Sequence, residues 1–553
     1  MAVNVQKLRE RFRALQEERN PFEAVYKHLV DYILPTAGRF DNSASRPDTD
    51  MYDLIFDATA TDAVGVLAAG MLSGMTSPAR PWFRLTTGDR KLDERADVKR
   101  WLADSTEAMQ RVFLQSNVYQ ALEQCYRELG VFGTACMVAL PSKRDVIHLH
   151  FMTVGEYWIA EDYEQRVNTL FRRFNMTAEQ MVTEFGEDKV SLTVREAYNT
   201  PRNRYKQFSV IHAIYPRDDY IKGSALNTEM PYASVYFEET TKDIDGSDSI
   251  LLEEGFRHFP GLCPRWELHG GNTYGTSPGM KALRPVMGLQ VEVKRKGQGI
   301  DYQTNPPMLY PDTMEDRQSD FAPGGISYYA AGTTPQQAVP AVQATMNLQY
   351  LTADITEVQR RIDSFFYKDL FTAIMSTPRT NRTAYEVDQI AQERMALLGP
   401  VLQRLNAELL DPLIAATYDC MVEAGLIDPA PQGVEGISVT FESILVQALR
   451  SAGITAEDRF LTTVQALAAL DPTVVDNVDF DVVIQNRGTD QGVDPRIMRS
   501  PDEVAKIRES RMQAQQQQAQ RAQAQQMADV AGTLAKVNPD ITRATDITAL
   551  QGY

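Results

Sequence analysis

The segment Gly275-Thr-Ser277-Pro-Gly279 has the spacing of the G-x-S-x-G turn that presents a nucleophilic serine in hydrolases. The chemistry fails one residue later. That turn uses the backbone N–H after the serine as an oxyanion donor, and Pro278 has no N–H. The same residues read better as a helix start, with Ser277 as N-cap and proline at the first helical position. His148 and His150 stand two apart on a predicted strand and share a face. Two histidines fall short of a zinc set, and no Cys, Asp or Glu joins them at ligand spacing. Asp243-Ile-Asp-Gly-Ser-Asp248 is loosely like a calcium loop, but its glycine comes three residues after the first aspartate rather than five. A polar hairpin turn fits it better. Neither G-x-x-x-x-G-K-[ST] nor G-x-G-x-x-G occurs, so no nucleotide cradle is expected. No nucleophile–base arrangement is visible, and neither an enzyme nor a cofactor is indicated.

Two basic clusters remain. Lys294-Arg295-Lys296 lies in a predicted helix, and Arg379 and Arg382, with Asn381 between them, lie in the turn Ser376–Thr383. Such clusters are either solvated faces or contacts to phosphate, which takes Lys and Arg as point or forked charges.

The elements that must carry these residues follow from periodicity. Residues 1–135 read as helical: Leu8, Phe12 and Leu15 recur at helical spacing, Asp62–Leu72 continues the pattern, and one helix is expected over about 94–130. Trp82-Phe-Arg-Leu is a short strand after the prolines at 78 and 81. Residues 136–268 change to short β-rich runs, a small antiparallel sheet or barrel inserted among helices. Thr177 followed by Gln180 is a capping box. A helix covers 277–300. Residues 304–341 hold six prolines and cannot be helix, yet Met308, Leu309, Tyr310, Ile326, Tyr328 and Tyr329 predict short strands. Over 343–376, Leu348, Leu351, Ile355, Val358, Ile362 and Phe365 step by three and four, predicting one rod on the order of 50 Å. Phe365, Phe366 and Tyr367 widen its apolar face. A second long helix is expected over 384–425, interrupted at Gly399-Pro400 and near Pro412. Ile437–Phe441 is a strand. The stretch 471–494 has six aspartates and the single basic residue Arg487. Residues 501–530 are rich in Gln and Ala, a helix without an apolar stripe that is marginal alone.

The chain of 553 residues is 43% hydrophobic and 24% charged, an ordinary globular composition. Its length exceeds what one core organises. Four cysteines (125, 136, 263 and 420) form no close-spaced pair, so neither a disulfide framework nor a zinc module is expected, and a reducing compartment fits. The opening residues are polar, without the apolar run of a secretion signal, and no segment is apolar enough to span a membrane. The net charge of −18 argues against general gripping of nucleic acid, which needs cations to neutralise phosphates.

The order of elements, a helix of about 22 residues, a Pro-rich ordered excursion, a longer helix, a tight basic turn and a further long helix, resembles the portal or head-to-tail connector family of tailed bacteriophages, in particular the short-tailed phages. Leu67-Ala-Ala-Gly-Met-Leu-Ser-Gly-Met-Thr-Ser-Pro-Ala-Arg-Pro-Trp-Phe83 is similar to the family's N-terminal signature, and Tyr274–Gly279 to its pre-stem motif. Asn305-Pro-Pro307 resembles its clip entry, and Arg382-Thr-Ala-Tyr-Glu-Val387 with Leu398-Gly-Pro400 its channel loop and following helix. The resemblance covers about residues 1–510.

It implies a mainly α subunit with a small β insertion (α+β), in a closed ring of twelve copies. The implied parts are a wing (1–274, β-rich over 136–268), stem helices (275–300 and 343–376), a clip (301–342) and a channel loop (377–383). A long kinked helix (384–430), a crown (431–500) and a Gln-rich barrel helix with a C-terminal tail (501–553) complete it. Double-stranded DNA would face Arg379, Asn381, Arg382, Lys294, Arg295 and Lys296. Pro311, Asp312, Arg317, Tyr328 and Tyr329 in the clip would dock tail or adaptor proteins and the terminase motor. The remaining implied partners are capsid protein and scaffold, with no metal, no cofactor and no membrane. The implied location is the virion vertex at the head–tail junction, after assembly in the host cytoplasm. A second class, a virion-associated ejection factor or cell-wall hydrolase, would need paired catalytic carboxylates or a Cys/His pair, and the sequence shows neither.

Overall fold

The computed structural model describes residues 4–40, 52–239, 250–311, 320–329, 338–341, 348–375, 397–443, 445, 460–469, 471–484 and 501–537, apart from positions 94, 225 and 435. From the N-terminus, helices α1 (Val5–Tyr32) and α2 (Thr59–Met75) lead to strand β1 (Phe83–Thr86). The single turn α3 (Arg90–Asp93) and helices α4 (Ala96–Gln115) and α5 (Val118–Phe132) follow. Next come β2 (Cys136–Ser142), β3 (Val146–Met152), β4 (Tyr157–Glu161) and β5 (Val167–Thr177), then α6 (Ala178–Phe185) and α7 (Leu192–Asn199). Strands β6 (Gln207–Pro216), β7 (Tyr232–Glu238), β8 (Ile250–Phe256) and β9 (Gly261–Leu262) complete the β-rich stretch. Helix α8 (Pro278–Thr304), strands β10 (Met308–Pro311), β11 (Ile326–Tyr329) and β12 (Val339–Pro340), and helices α9 (Leu348–Phe365) and α10 (Lys368–Met375) come after it. A π-helical turn (Asn406–Leu410) runs into the helix Asp411–Glu423, then β13 (Ser438–Phe441) and the helix Pro501–Val537. Two compact units result, residues 1–86 with 101–457 and residues 87–100 with 458–553.

In the first unit, strands β4 to β8 form an antiparallel sheet in sequence order. Alternation along the strands gives it two apolar faces. On one face Phe171, Ile211, Ala213, Val235 and Phe237 meet Val5, Leu8, Phe12 and Leu15 of α1. Phe12 sits edge-on to Trp158 at 4.8 Å and stacked on Phe171 at 5.8 Å. On the other face Val210 and Leu251 meet Met181, Phe185 and Val194 of α6 and α7. The sheet is therefore a three-layer sandwich with helices and stays open, not a barrel. With both faces covered by the chain's own helices, no interior is left for it to close around. A smaller sheet, in the order β3-β2-β9, lies beside it. The capping box at Thr177 and Gln180 is complete, with the side chains and backbone bonded reciprocally at 3.2 and 2.9 Å.

Three expected helices differ from the sequence reading. The helix expected over 94–130 is split at Ser116-Asn117 into α4 and α5. Asn117 is taken by β3: its amide donates to the Leu149 carbonyl at 2.7 Å and accepts from the Leu149 N–H at 2.9 Å. The single rod expected over 343–376 is split as well. α9 has 18 residues, about 27 Å, and then Tyr367 turns the chain at φ +55°. A non-glycine residue in that region costs about 1–2 kcal/mol. Burial of Phe366 and Phe371 on either side offsets it. Phe366 thus serves its own subunit's core, while Phe365 and Tyr367 stay half-buried. The helix does not break at Gly399-Pro400; residues 397–405 are continuous across it. The irregularity comes later, in the π turn 406–410, after which Pro412 occupies the first turn of the next segment.

The N-terminal signature is explained by packing. α2 lies against α5, α9 and α10. A Cβ on Gly70 would fall 2.3 Å from the Phe371 ring, so α10 reaches α2 only because position 70 is glycine. Trp82 and Phe83 extend the same region by joining Phe113 and Phe441 in an aromatic cluster with centroids 4.6–6.5 Å apart. There β1 pairs with β13 antiparallel, Phe83 opposite Phe441.

In the second unit, acids of the Asp-rich stretch have local work. Asp471 accepts from the Thr473 N–H and hydroxyl, Asp479 accepts from the N–H groups of Asp481 and Val482, and Asp481 pairs with both Arg508 nitrogens. Arg508 lies on the helix Pro501–Val537, whose side chains over 511–530 are all exposed. Among the described residues no helix is long and apolar enough to cross a membrane.

Candidate interaction site

The start of α8 is built on the end of α5. Helix α5 stops at Gly133, which has φ +78°. A Cβ on Gly275 would lie 2.3 Å from the Gly133 carbonyl oxygen, so the two glycines let the chain segments cross. The Gly275 N–H donates to Thr134 Oγ1 at 2.9 Å. Ser277 is fully buried; its hydroxyl donates to the Val131 carbonyl at 2.6 Å and accepts from the Met280 N–H at 2.9 Å. A serine so engaged is a cap and an anchor, as the proline after it indicates.

From this anchor α8 runs alongside α9. A strap, residues 52–57, is pinned across both. The buried Gln290 accepts from the N–H groups of Phe56 and Asp57 at 2.7 and 2.8 Å and donates to the Asp57 carbonyl at 2.9 Å. Gln359 of α9 donates to the Asp57 carboxylate at 2.8 Å. Lys294, one of the expected DNA-facing cations, has its ammonium 5.2 Å from the Phe56 ring centre. Lys294 and Arg295 are exposed and Lys296 half-buried. Among the described residues none of the three has an ion-pair partner.

Beyond α8 the Pro-rich excursion forms a three-stranded sheet in the order β11-β10-β12. β10 and β11 are parallel, with Tyr310 opposite Tyr328 and Pro311 opposite Tyr329. Gly324 and Gly325 tie the return to the α8 end through the Asn305 carbonyl (2.9 Å) and the Met308 N–H (3.0 Å). Tyr328 and Tyr329 are half-buried on the returning strand. Asp312 and Arg317, and likewise Arg379, Asn381 and Arg382, lie outside the described residues. The structure thus brings Pro311, Tyr328 and Tyr329 into one small sheet, and sets Lys294, Arg295 and Lys296 along one helix.

The residue that the sequence reading missed is Arg265. Its side chain is fully buried. It pairs with Glu161 of β4 at 2.7 Å and with Glu408 at 2.8 Å, and donates to the carbonyls of Gln165 and Thr273. Glu408 belongs to the π turn, and its carboxylate also accepts from the Arg265 N–H. The extra residue of that turn lets Leu405, Leu409, Leu410 and Leu413 all stay buried while Glu408 points at Arg265. An Arg between Pro264 and Trp266 is the only local hint.

Other titratable groups are tuned by burial. Burial pushes the Glu128 carboxyl up to about 8, opposed by its bonds to the Thr153 hydroxyl and the Val154 N–H. His150 is lowered to about 4, chiefly by burial and then by Arg172. His148 and His150 lie on β3, opposite Leu140 and Val138 of β2. Among the described residues no His, Cys, Asp and Glu group is arranged to hold a metal. Residues 243–248 lie outside the described residues. Glu254, twelfth counting from Asp243, belongs to strand β8, opposite Ser234.

Residues 5–498 match the family model of the bacteriophage head to tail connecting protein. The chain is 42% identical over 550 residues to the "Probable portal protein" of Bordetella phage BPP-1, covering 98% of each. It is 36% identical over 540 residues to the "Portal protein" of Salmonella phage epsilon15, covering 97% of this chain and 95% of that one. Among solved structures it is similar to a chain in the neck of an empty gene transfer agent particle, at 12% identity and a TM-score of 0.36, covering 79% of this chain and 94% of that one. A chain of the native particle's neck, solved with C12 symmetry, matches at 11% identity and a TM-score of 0.33, covering 79% and 95%.

Proposed function

The chain belongs to the bacteriophage head-to-tail connecting protein family, and we propose that it is the portal subunit of its phage. Copies form a ring at one capsid vertex, the conduit through which double-stranded DNA enters and leaves and the platform on which tail proteins and the packaging motor dock. The observation that carries this reading is the 42% identity to a portal protein over 98% of both chains. The role is structural, and nothing supports the hydrolase alternative.

The finer assignments belong to the same proposal. The ring holds twelve copies, a heterologous head-to-tail assembly that closes. Residues 1–274 are the wing, 275–300 and 343–376 the two stem segments, carried by α8 and by α9 with α10, and 301–342 the clip. Residues 377–383 are the channel loop, 384–430 the helix joining wing and crown, 431–500 the crown, and 501–553 the barrel helix and tail. The clip, through Pro311, Asp312, Arg317, Tyr328 and Tyr329, meets tail and motor proteins; the ring also contacts capsid protein and scaffold, first in the host cytoplasm.

The net charge gives the mechanism its character. Each subunit carries −18, so a ring repels the DNA backbone. Adhesion scales with the number of phosphates neutralised, and a ring with few channel cations lets DNA slide. Arg379 and Arg382, with Asn381, are the exceptional contacts; Lys294, Arg295 and Lys296 are secondary, since Lys294 is already engaged with Phe56. Replacing Arg379→Ala together with Arg382→Ala is expected to leave rings intact and reduce the DNA packaged or retained, read as the fraction of filled heads. Normal filling would remove these arginines from the channel account, and loss of rings would make them structural.

A further inference from the structure

Cys136 and Cys263, 127 positions apart, meet in the small sheet with their sulfurs at 3.3 Å, both buried. The register shows why. Met137 stands opposite Leu262 and Val138 opposite Gly261, and an isolated bridge joins Thr134 to Arg265. The same antiparallel register places Cys136 directly opposite Cys263. The flanking hydrogen bonds fall on alternate pairs: Trp266 N–H to Gly133 O at 2.9 Å, Ala135 N–H to Pro264 O at 3.1 Å, and Ala139 N–H to Pro260 O at 2.9 Å. The cysteines therefore occupy a non-hydrogen-bonded pair, where Cα atoms stand about 4.5 Å apart and side chains approach closest. That separation falls within the range a disulfide spans, about 4.4–6.8 Å.

We propose that Cys136 and Cys263 are a modification site, a dithiol that closes to an intramolecular disulfide under a two-electron oxidant of the peroxide type. One thiol releases its proton, its thiolate attacks a peroxide oxygen and breaks the O–O bond, and the departing hydroxide takes up that proton, giving a sulfenic acid and water. The second thiol displaces the sulfenic oxygen as water and forms the S–S bond. Two thiols and one hydrogen peroxide thus give one disulfide and two waters. Burial raises the Cys136 thiol well above its ordinary value, so that thiol reacts slowly. Thiols persist in a reducing cytosol, and the disulfide becomes stable outside it. That change of compartment rests on the virion role proposed above; the chemistry of the pair does not. The bond would staple β2 to the segment that carries Arg265, closing a long loop, the case in which a cross-link constrains the unfolded chain most.

The test uses the full-length protein, treated with dilute hydrogen peroxide, denatured in excess N-ethylmaleimide and digested without reductant. Mass spectrometry is expected to find the peptides holding Cys136 and Cys263 joined, with two hydrogens lost. The melting temperature should rise on oxidation and return with dithiothreitol. Cys125→Ser should keep both effects, and Cys136→Ser should lose them. The proposal is overturned if Cys136 and Cys263 are recovered as maleimide adducts while the half-exposed Cys420 is oxidised, or if Cys263 is found joined to Cys125. Neither readout depends on ring formation, so failure here leaves the portal role untouched.

Discussion

Arg265 is a buried side chain at which three parts of the first unit meet. It joins a strand of the large sheet, the π turn and the segment leading to α8. Removing one member of a buried pair leaves the others charged and unpaired, at a cost of about 3–5 kcal/mol. Arg265→Leu is therefore expected to lower stability by that amount in urea unfolding. A loss under about 1 kcal/mol would mean that the carboxylates find other partners. Glu128 gives a pH signature. Its folded-state value is raised from 4.5 to about 8, so the folded chain holds a proton that the unfolded chain has released. Stability is then highest below the unfolded value and falls as pH rises from about 4.5 to about 8. Glu156 is the nearby acid that adds to the shift, and the Thr153 hydroxyl and Val154 N–H oppose it. Glu128→Gln should remove this slope; an unchanged slope would assign it elsewhere. Neither residue is legible in the sequence. The acidic partners of Arg265 are 104 and 143 positions away, and the bonds of Glu128 run to another element.

At the scale of elements, what was legible is what is local. Ser277-Pro278 and Thr177 with Gln180 mark helix starts because capping needs only neighbours in sequence. The alternation of β5 to β7 and the short strands at 308–311 and 326–329 were likewise readable. The breaks at Asn117 and Tyr367 were not, because their causes are tertiary: the clamp on Leu149, and the seat of Phe371 over Gly70. Periodicity continues through both places, so it predicts one rod where there are two. The Gly70 seat gives a direct check. Gly70→Ala overpacks the contact and should cost about 1–3 kcal/mol. Phe371→Ala should cost stability alone yet recover part of the loss when combined with Gly70→Ala, measured as a double-mutant cycle. Strict additivity would show that the two residues do not meet.

For the whole molecule, charge and exposed surface bear on assembly. The helix Pro501–Val537 presents side chains that are exposed throughout 511–530, and a helix with no apolar stripe is marginal by itself. Tyr52, Leu54 and Phe56 of the strap are about half exposed on a backbone held by Gln290, with Gln359 bonded to the Asp57 carboxylate. A subunit of a ring has neighbours for such surfaces. In the proposed portal role, the acidic balance that argues against a nucleic-acid gripper suits a conduit that DNA passes without adhering. The most direct test is an electron-microscope image of the purified full-length protein viewed end-on. Closed rings of identical subunits around a central hole wide enough for double-stranded DNA are expected. Monomers or small solid globules at every concentration tried would contradict the account.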